Sequence, residues 1–249
     1  MESDARTHNG LLASLDEDDF ESLRPHLRTV ALTQSEQLVK IGDTINHVFL
    51  PHSGVISLVV ELDQGERVEV AMIGRDSVLN LSGVLAGPTA VTNAVVMLSG
   101  VASTLDVNQL RTEAARRPAL RTLLAKHGMA LFVQAQQTAG CNASHLVEKR
   151  LARWLLRVRD LTRSDTFTLT QELIAQMIGA RRNSVSIVAN TLQRSNYIRY
   201  SRGHIEITDL DGLNRTACEC YVAVKKQCEI LSSGLSLKMA ARYCRIPAS

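Results

Sequence analysis

The chain has 249 residues, enough for two domains with separate cores, and a formal net charge of +3. This charge is unevenly shared, because residues 1–143 balance to −5 and residues 144–249 to +8. The asymmetry indicates that the C-terminal part meets a polyanion and that the N-terminal part has another role. No apolar run approaches the roughly 18 residues that a membrane span needs, and the polar N-terminus is unlike a secretion signal. We therefore expect a cytoplasmic protein without a membrane partner.

The N-terminal half shows short alternating segments separated by turn residues. They predict strands over residues 45–50, 55–62, 67–73, 92–98 and 101–105. Many short strands at even spacing are typical of a small antiparallel barrel or sandwich. Short helices are predicted on either side, over residues 16–27 and 107–115. This half carries no Ser/His/Asp or paired-carboxylate signature, so we do not expect an enzyme.

A long helix is predicted from about Pro118 to Ala143, since proline suits the first turn of a helix. One stripe of this helix advances in alternating steps of four and three residues, apolar at first and polar later. The stripe consists of Leu120, Leu124, His127, Leu131, Gln134, Thr138 and Cys141. Such a heptad seam predicts a parallel homodimer, because polar seam residues fit a dimer axis better than a dry core. The alternative is a helix that packs only on its own barrel.

Residues 169–207 point most directly to a partner. Apolar residues at helical spacing, with Thr170 as N-cap, predict a first helix that Gly179 ends sharply. A second helix is predicted from about Arg181 to Gln193. Two helices joined by a short turn that contains glycine match the helix-turn-helix motif, whose second helix lies in the major groove of DNA.

The outward face of the second helix is polar and basic, as a DNA-binding helix requires. Arginine can bind guanine bidentately, and asparagine can bind adenine. After this helix, two alternating segments around Arg202-Gly203 predict a two-stranded wing with arginines available for phosphates. The predicted DNA-binding residues of the second helix and the wing are Arg181, Arg182, Asn183, Ser184, Ser186, Arg199, Ser201 and Arg202.

Five cysteines occur, and none lies in the first 140 residues. Their odd number and the expected reducing compartment argue against a disulfide framework. Cys218 and Cys220 do not form a CxxC pair, and no histidine lies nearby at zinc-finger spacing. We therefore expect no metal site and interpret the cysteines as small side chains on helices. Metal binding or redox sensing is the alternative.

The order of parts resembles that of the Crp/Fnr transcription regulators over roughly residues 11–212. The strongest segment is TQELIAQMIGARRNSV, in which the residues that match the family pattern are Thr170, Ala175, Ile178, Gly179, Arg182 and Val185. The resemblance implies that Arg182 reaches a guanine and that Thr170 and Gln171 hold phosphates. The usual glutamate after this arginine is Asn183 here, and the second base-contacting arginine is Ile187. We therefore expect an operator that differs from the family's best-known half-site.

The resemblance also compares the N-terminal half with cyclic-nucleotide-binding domains. Members that bind cyclic nucleotides carry a Gly-Glu pair and, further on, an Arg-Ser or Arg-Thr pair whose arginine binds the cyclic phosphate. Here Leu79 and Asn80 replace the first pair, and Ala90 and Val91 replace the second. A buried phosphate without this cation would cost several kcal/mol. We therefore expect no cofactor and no tight binding of cAMP or cGMP.

The resemblance also brings in two other cofactors, an iron–sulfur cluster and a haem. Oxygen-sensing members hold an iron–sulfur cluster on N-terminal cysteines, and none precedes Cys141 here. A haem bound through His47, His52 or His127 stays open as an alternative.

The fold class implied is α+β. A cyclic-nucleotide-binding-like antiparallel β-roll (11–116) precedes a long dimerisation helix (117–143), a winged helix-turn-helix (144–212) and a C-terminal helical extension (213–249). The function implied is a transcription regulator that binds a two-fold symmetric operator on double-stranded DNA as a homodimer, and contacts RNA polymerase if it is an activator. The β-roll would sense a signal other than cAMP. Alternatives are a ligand-independent or haem- or redox-responsive regulator, and a winged-helix protein-interaction module.

Overall fold

The structure, a computed structural model, describes residues 5–232; the rest of the predicted C-terminal extension, with Cys244, lies outside the described residues. Antiparallel strands make up most of residues 28–106, which confirms the predicted α+β class. The strands are β1 (Arg28–Leu32), β2 (Gln37–Val39), β3 (His47–Pro51), β4 (Val55–Glu61), β5 (Arg67–Ile73), β6 (Asn93–Leu98) and β7 (Gly100–Asp106).

These strands form the two sheets of the predicted β-roll, with strand orders β1-β7-β3 and β2-β6-β4-β5. Side chains alternate between the two faces of a strand, so Val48, Leu50, Ile56, Val96 and Leu105 point into one shared apolar core. The accompanying helices are α1 (Ala5–His8), α2 (Gly10–Ala13), α3 (Glu17–Leu23), α4 (Leu81–Leu85) and α5 (Val107–Arg116).

The predicted helix over residues 16–27 is shorter than expected. It ends as α3 at Leu23 and continues as a 3₁₀ turn over Arg24–His26. Pro25 lies in this turn, and proline cannot donate the backbone hydrogen bond that a longer α-helix would need.

The long helix, α6, runs from Pro118 to Ser144 and packs its predicted dimer seam against its own chain. Leu120, Leu124, His127, Gln134 and Thr138 are all buried within one chain, and Leu131 packs against the same core. The prediction that this seam faces a partner is therefore wrong, and the alternative of packing on its own barrel is the arrangement found.

Gln134, a polar residue of the seam, is buried because it serves the edge of a sheet. β5 is an edge strand, so the backbone groups on its outer side need partners from elsewhere. The Gln134 side chain provides them: its Oε1 accepts from the Met72 backbone N–H at 2.7 Å, and its Nε2 donates to the Met72 carbonyl at 3.3 Å. A polar side chain at this position thus belongs to the chain's own core.

A second stripe of α6 points to solvent, and its residues advance in steps of four and three. Its two large members, Met129 and Phe132, are 51% and 56% exposed. The outer stripe consists of Ala125, Met129, Phe132, Gln136, Ala139 and Ala143, and all six are exposed. α6 therefore carries apolar side chains on two faces, and the fold of the single chain covers only one of them.

The C-terminal part is a winged helix followed by two further helices. Among the described helices, none is long and apolar enough to cross a membrane. The elements are α7 (Val147–Thr162), β8 (Thr166–Thr168), α8 (Gln171–Met177), α9 (Arg182–Arg194), β9 (Ile198–Ser201), β10 (His204–Ile207), α10 (Leu210–Thr216) and α11 (Cys220–Ser232).

The winged helix packs directly on the β-roll through α7. Leu151, Trp154 and Leu155 share one apolar cluster with Val59 of β4 and Met97 of β6. Trp154 also donates from its Nε1 to Oε1 of the buried Glu69 at 2.9 Å, while the Ser57 hydroxyl donates to the other carboxylate oxygen. Burial raises the pKa of Glu69 to about 7, although both hydrogen bonds act in the opposite direction.

Substituting Glu69→Gln should remove a pH dependence of folding stability. The unfolded glutamate ionises near pH 4.3 and the folded one near 7, so wild-type stability should fall as pH rises between these values and level off above. Glutamine can accept from Trp154 at its oxygen and donate from its Nε2 to the Ser57 hydroxyl without this loss. The variant should therefore gain about 3 kcal/mol over wild type at pH 8 and almost nothing at pH 4.

Urea unfolding of both proteins across this pH range measures the effect. Glu61→Gln, which changes an exposed carboxylate on β4, is the matched control and should leave the profile unchanged. A difference between Glu69→Gln and wild type that does not vary with pH would contradict the raised pKa.

Candidate nucleic-acid interface

The helix-turn-helix forms where the sequence predicted it. Thr170 caps α8 by accepting from the Leu173 N–H at 3.2 Å, and Gly179 in the turn has φ +58°. The inward stripe of α9 is buried against α7 and α8 at Val185, Ala189 and Leu192. The outward side chains of α9 are consequently fixed in direction by the core behind them.

Arg150 of α7 bonds to the turn between α8 and α9. Its guanidinium donates to the Ile178 carbonyl, to the Gly179 carbonyl at 3.2 Å and to the Asn142 carbonyl at 3.5 Å. The helical spacing of Leu151, Trp154, Leu155 and Val158 predicts Arg150 and Arg153 on the solvent face of α7, but both are buried. The prediction failed because apolar spacing does not show that the β-roll and α6 also cover this face.

The side chains on the outward face of α9 differ in how far they are exposed. Arg181, Arg182 and Asn183 are exposed at its start, and Ile187 is 68% exposed one turn later. Ser184 and Ser186 are half-buried, and the Ser186 hydroxyl donates to Gln171 Oε1 at 2.5 Å. Ser186 therefore ties α9 to the start of α8, and the exposed residues are the ones free to meet a ligand.

The wing is a hairpin of β9 and β10, extended by β8 on the other side of β10. Arg202 and Gly203 both have positive φ, +50° and +83°, as a tight two-residue hairpin turn requires. Arg202 and Ser201 are exposed near the tip. Arg199 is held by Glu206 of the facing strand at 2.5 Å.

A groove of about 340 Å³ lies between the start of α8, the start of α9 and the wing. Arg182 and Arg202 bring positive charge to it, and Glu172 lies 3.7 Å from the Arg182 Nε. The first N–H groups of α9 have no side-chain cap, since Arg181 occupies the N-cap. The groove is lined by Thr170, Gln171, Glu172, Arg182, Tyr200, Arg202 and Gly203.

This arrangement suits an oxyanion such as a phosphate. Uncapped N–H groups at a helix start and nearby guanidinium groups both bind negative charge. Burial raises the pKa of Tyr200, and the charge of Arg182 acts against this rise. The tyrosine hydroxyl donates to the Leu169 carbonyl at 2.8 Å, which fixes the ring as a wall of the groove.

The structure places six of the ten predicted DNA-binding residues on two sides of the wing. Thr170, Gln171, Arg182 and Arg202 meet at the groove. Arg199 and Ser201 line a depression on the other side of the wing, with His204. The alternation of side chains along β9 explains the division, and the same alternation would have placed Tyr200 in the groove from sequence alone.

The segment that replaces the phosphate-binding pairs packs as ordinary structure. Leu79 is buried and pairs with Phe49, with 2.9 Å between its N–H and the Phe49 carbonyl. Asn80 starts α4 with φ +74° and donates to the His47 carbonyl at 2.8 Å. Ala90 is buried, whereas Val91 is 71% exposed.

Four potential metal ligands meet beside the end of α6, a cluster that the sequence spacing did not predict. The ligand atoms of Cys141, His145, Cys218 and Cys220 all lie within 4.8 Å of one another. The hydrogen bond with Cys218 lowers the pKa of the Cys141 thiol, and the charge of Arg153 acts in the same direction. Sequence spacing missed this cluster because the connection between α10 and α11 brings its two cysteines back to α6.

The comparisons with known proteins agree with this geometry. Residues 149–216 match the family model of the Crp-like helix-turn-helix domain, and no curated protein sequence matches the chain. FixK2 from Bradyrhizobium japonicum has a TM-score of 0.67 at 15% identity, over 77% of this chain and 98% of its own. TTHB099, a CRP-family transcriptional regulator from Thermus thermophilus, has a TM-score of 0.64 at 21% identity, over 76% and 96%.

A Crp/Fnr-family regulator from Eubacterium rectale has a TM-score of 0.65 at 15% identity, over 84% of this chain and 98% of its own. The chain therefore has the fold of the Crp/Fnr regulators, and residues 149–216 form their helix-turn-helix domain. The resemblance stated from sequence is confirmed.

Substituting Gly179→Ala should destabilise the helix-turn-helix by about 1 kcal/mol or more. The residue has φ +58°, where a side chain is strained, and its Cβ would lie 3.2 Å from Val68 Cγ1 of β5. Gly87→Ala is the matched control, because its Cβ would meet no atom within 4 Å and its φ is not positive. Urea unfolding compares the two variants, and equal effects would contradict a special role for the turn.

Proposed function

We propose that the protein is a sequence-specific DNA-binding transcription regulator that binds a two-fold symmetric operator as a homodimer. The observation that carries this proposal is the groove between α8, α9 and the wing, where two arginines and the uncapped start of α9 converge. A helix-turn-helix places its second helix in the major groove, with the N-terminal residues of that helix at the base edges.

Arg182 and Asn183 are the proposed base-contacting residues at the start of α9. Arginine suits guanine and asparagine suits adenine. Ile187 lies one turn further along the exposed face and suits the methyl group of thymine, since apolar side chains contact that group. Thr170, Gln171 and Arg202 would hold the phosphate backbone from the groove.

In the free protein Arg182 pairs with Glu172, at 3.7 Å between Nε and Oε2. Both side chains are mostly exposed, 67% and 61%, and exposed ion pairs contribute little to stability. Arg182 can therefore exchange this carboxylate for a base or phosphate at small cost. Glu172 would then repel the phosphates of DNA that is bound out of the correct register.

The outer stripe of α6 is the proposed dimer interface. It repeats every seven residues as a coiled-coil seam does, with Met129 and Phe132 as its large side chains and alanines on either side. The 27-residue helix is about 40 Å long, so two copies can pair over several turns. The outer stripe thus takes the place, as proposed dimer interface, of the heptad seam that begins at Leu120.

The β-roll is proposed to respond to a signal other than cAMP. No charged residue occurs between Leu79 and Val91, and α4 packs closely on the strands beneath it: a Cβ added at Gly83 would lie 2.7 Å from Ile45 Cγ2. Both observations oppose a bound cyclic phosphate. Contact with RNA polymerase, a cytoplasmic location and the predicted domain boundaries stay predictions.

Substituting Arg182→Ala should weaken operator binding by about 1–3 kcal/mol and relax specificity at one base pair of each half-site. Binding to a randomised operator library, selected by affinity and sequenced, measures both effects. Arg194→Ala, at the far end of the same helix, is the matched control and should keep the wild-type sequence preference. An affinity loss for Arg182→Ala that is equal on all sequences, with a smaller salt dependence, would instead indicate a phosphate contact.

Substituting Phe132→Glu should convert the dimer to a monomer, because it places charges opposite each other on a buried seam. Sedimentation velocity at micromolar concentration measures the state. Val91→Glu is the matched control, since Val91 is 71% exposed and lies off the seam. Retention of the dimer in Phe132→Glu would contradict the outer stripe as the interface.

A further inference from the structure

We propose that Cys141, His145, Cys218 and Cys220 form a zinc site that joins the end of α6 to the connection between α10 and α11. The sulfurs of Cys141 and Cys218 lie 3.5 Å apart, and Cys220 Sγ lies 3.6 Å from His145 Nδ1. A tetrahedral zinc with ordinary bond lengths would set such pairs about 3.8 Å and about 3.6 Å apart. Small side-chain movements would thus complete the geometry.

The residues around the cluster orient its ligands as those around a metal site do. His145 Nε2 lies 3.2 Å from a carboxylate oxygen of Glu219. A proton held there leaves Nδ1 with a lone pair toward Cys220, which is the carboxylate–histidine–metal arrangement. Gln137 donates from Nε2 to Cys220 Sγ at 3.0 Å, a bond that favours a thiolate.

The charge of a zinc site would also suit its surroundings. Zinc binding would release three thiol protons, and one Zn²⁺ with three thiolates and a neutral imidazole carries a net charge of −1. Arg150 and Arg153 are both buried beside the cluster, and neither Nε has a hydrogen-bond partner among the described residues. Arg153 also faces Glu69, whereas no carboxylate of the described residues is among the groups that act on Arg150. A buried cation without a nearby anion is costly, so an anionic site would stabilise Arg150 in particular.

The donor set indicates which metal is bound. Three thiolates and one imidazole in tetrahedral arrangement suit zinc. Four protein ligands leave no open position, which is typical of a structural rather than a catalytic zinc. An iron–sulfur cluster uses similar ligands, so the test must distinguish it from zinc.

The site would connect the end of α6 to the helix-turn-helix. Cys141 lies in the last turn of α6, and Arg150 bonds both to the Asn142 carbonyl beside it and to the Gly179 carbonyl of the turn. Loss of the metal would loosen the contacts between the end of α6 and the helix-turn-helix and alter the position of α9. This consequence rests on the proposed function, whereas the metal site itself does not.

The test is the metal content of the full-length protein, purified anaerobically from cells supplied with zinc and iron. We expect about one zinc per chain by elemental analysis, and a Co²⁺-exchanged form with the visible bands of tetrahedral cobalt and a thiolate-to-cobalt charge-transfer band. Cys220→Ser should lose the zinc on dialysis against a chelator. Cys228→Ser, which changes a half-buried cysteine of α11 outside the cluster, should keep it.

Glu219→Gln tests the site without removing a ligand, because Glu219 is 76% exposed and its substitution should not disturb folding. We expect a loss of about tenfold or more in zinc affinity by chelator competition. Treatment with the chelator should also lower the operator affinity of wild type. The same treatment should leave the operator affinity of Cys220→Ser unchanged, because that variant has already lost its zinc.

Three outcomes would overturn the proposal. They are iron with acid-labile sulfide in place of zinc, a zinc content unchanged by Cys220→Ser, and no zinc uptake by the reduced protein on reconstitution. None of these depends on DNA binding. A protein that holds zinc but binds no operator would therefore refute the proposed function and leave the site intact.

Discussion

The packing of α7 against the outer face of the four-stranded sheet is the contact on which the rest of the molecule depends. Trp154 is almost fully buried at this contact and bonds to Glu69 of β5, so one hydrogen bond lies at the centre of a large apolar surface. The same helix supports the core of the helix-turn-helix from its other side. The position of α9 is thus set by how α7 sits on the β-roll.

Arginines of α7 extend this contact toward the DNA-binding surface. Arg157 pairs with Asp76 of the β-roll at 2.7 Å, and Arg150 reaches the carbonyls of the helix-turn-helix turn. Guanidinium groups suit this role because one planar group can bond to several oxygens at once. Arginines of α7 thus contact both the β-roll and the turn before α9, and the Cys/His cluster lies beside Arg150.

The local patterns predicted most of the fold, because helical spacing, caps and turn glycines act over a few residues. Thr170, Gly179 and the wing turn at Arg202-Gly203 all lie where their conformational preferences indicated. The sequence could not show which face of α6 is covered, since both faces carry a heptad and Gln134 is explained only by the edge of β5. It could not show the Cys/His cluster either, because 77 residues separate Cys141 from Cys218.

The bond between Gln134 and Met72 has a consequence for assembly. An open sheet edge is a template on which another chain can add a strand, and many proteins form continuous sheets across a two-fold axis or aggregate in this way. Here a side-chain amide caps the edge at Met72, next to the last residue of β5, and α6 lies along it. A second copy of this chain therefore cannot extend the four-stranded sheet past the capped end of β5.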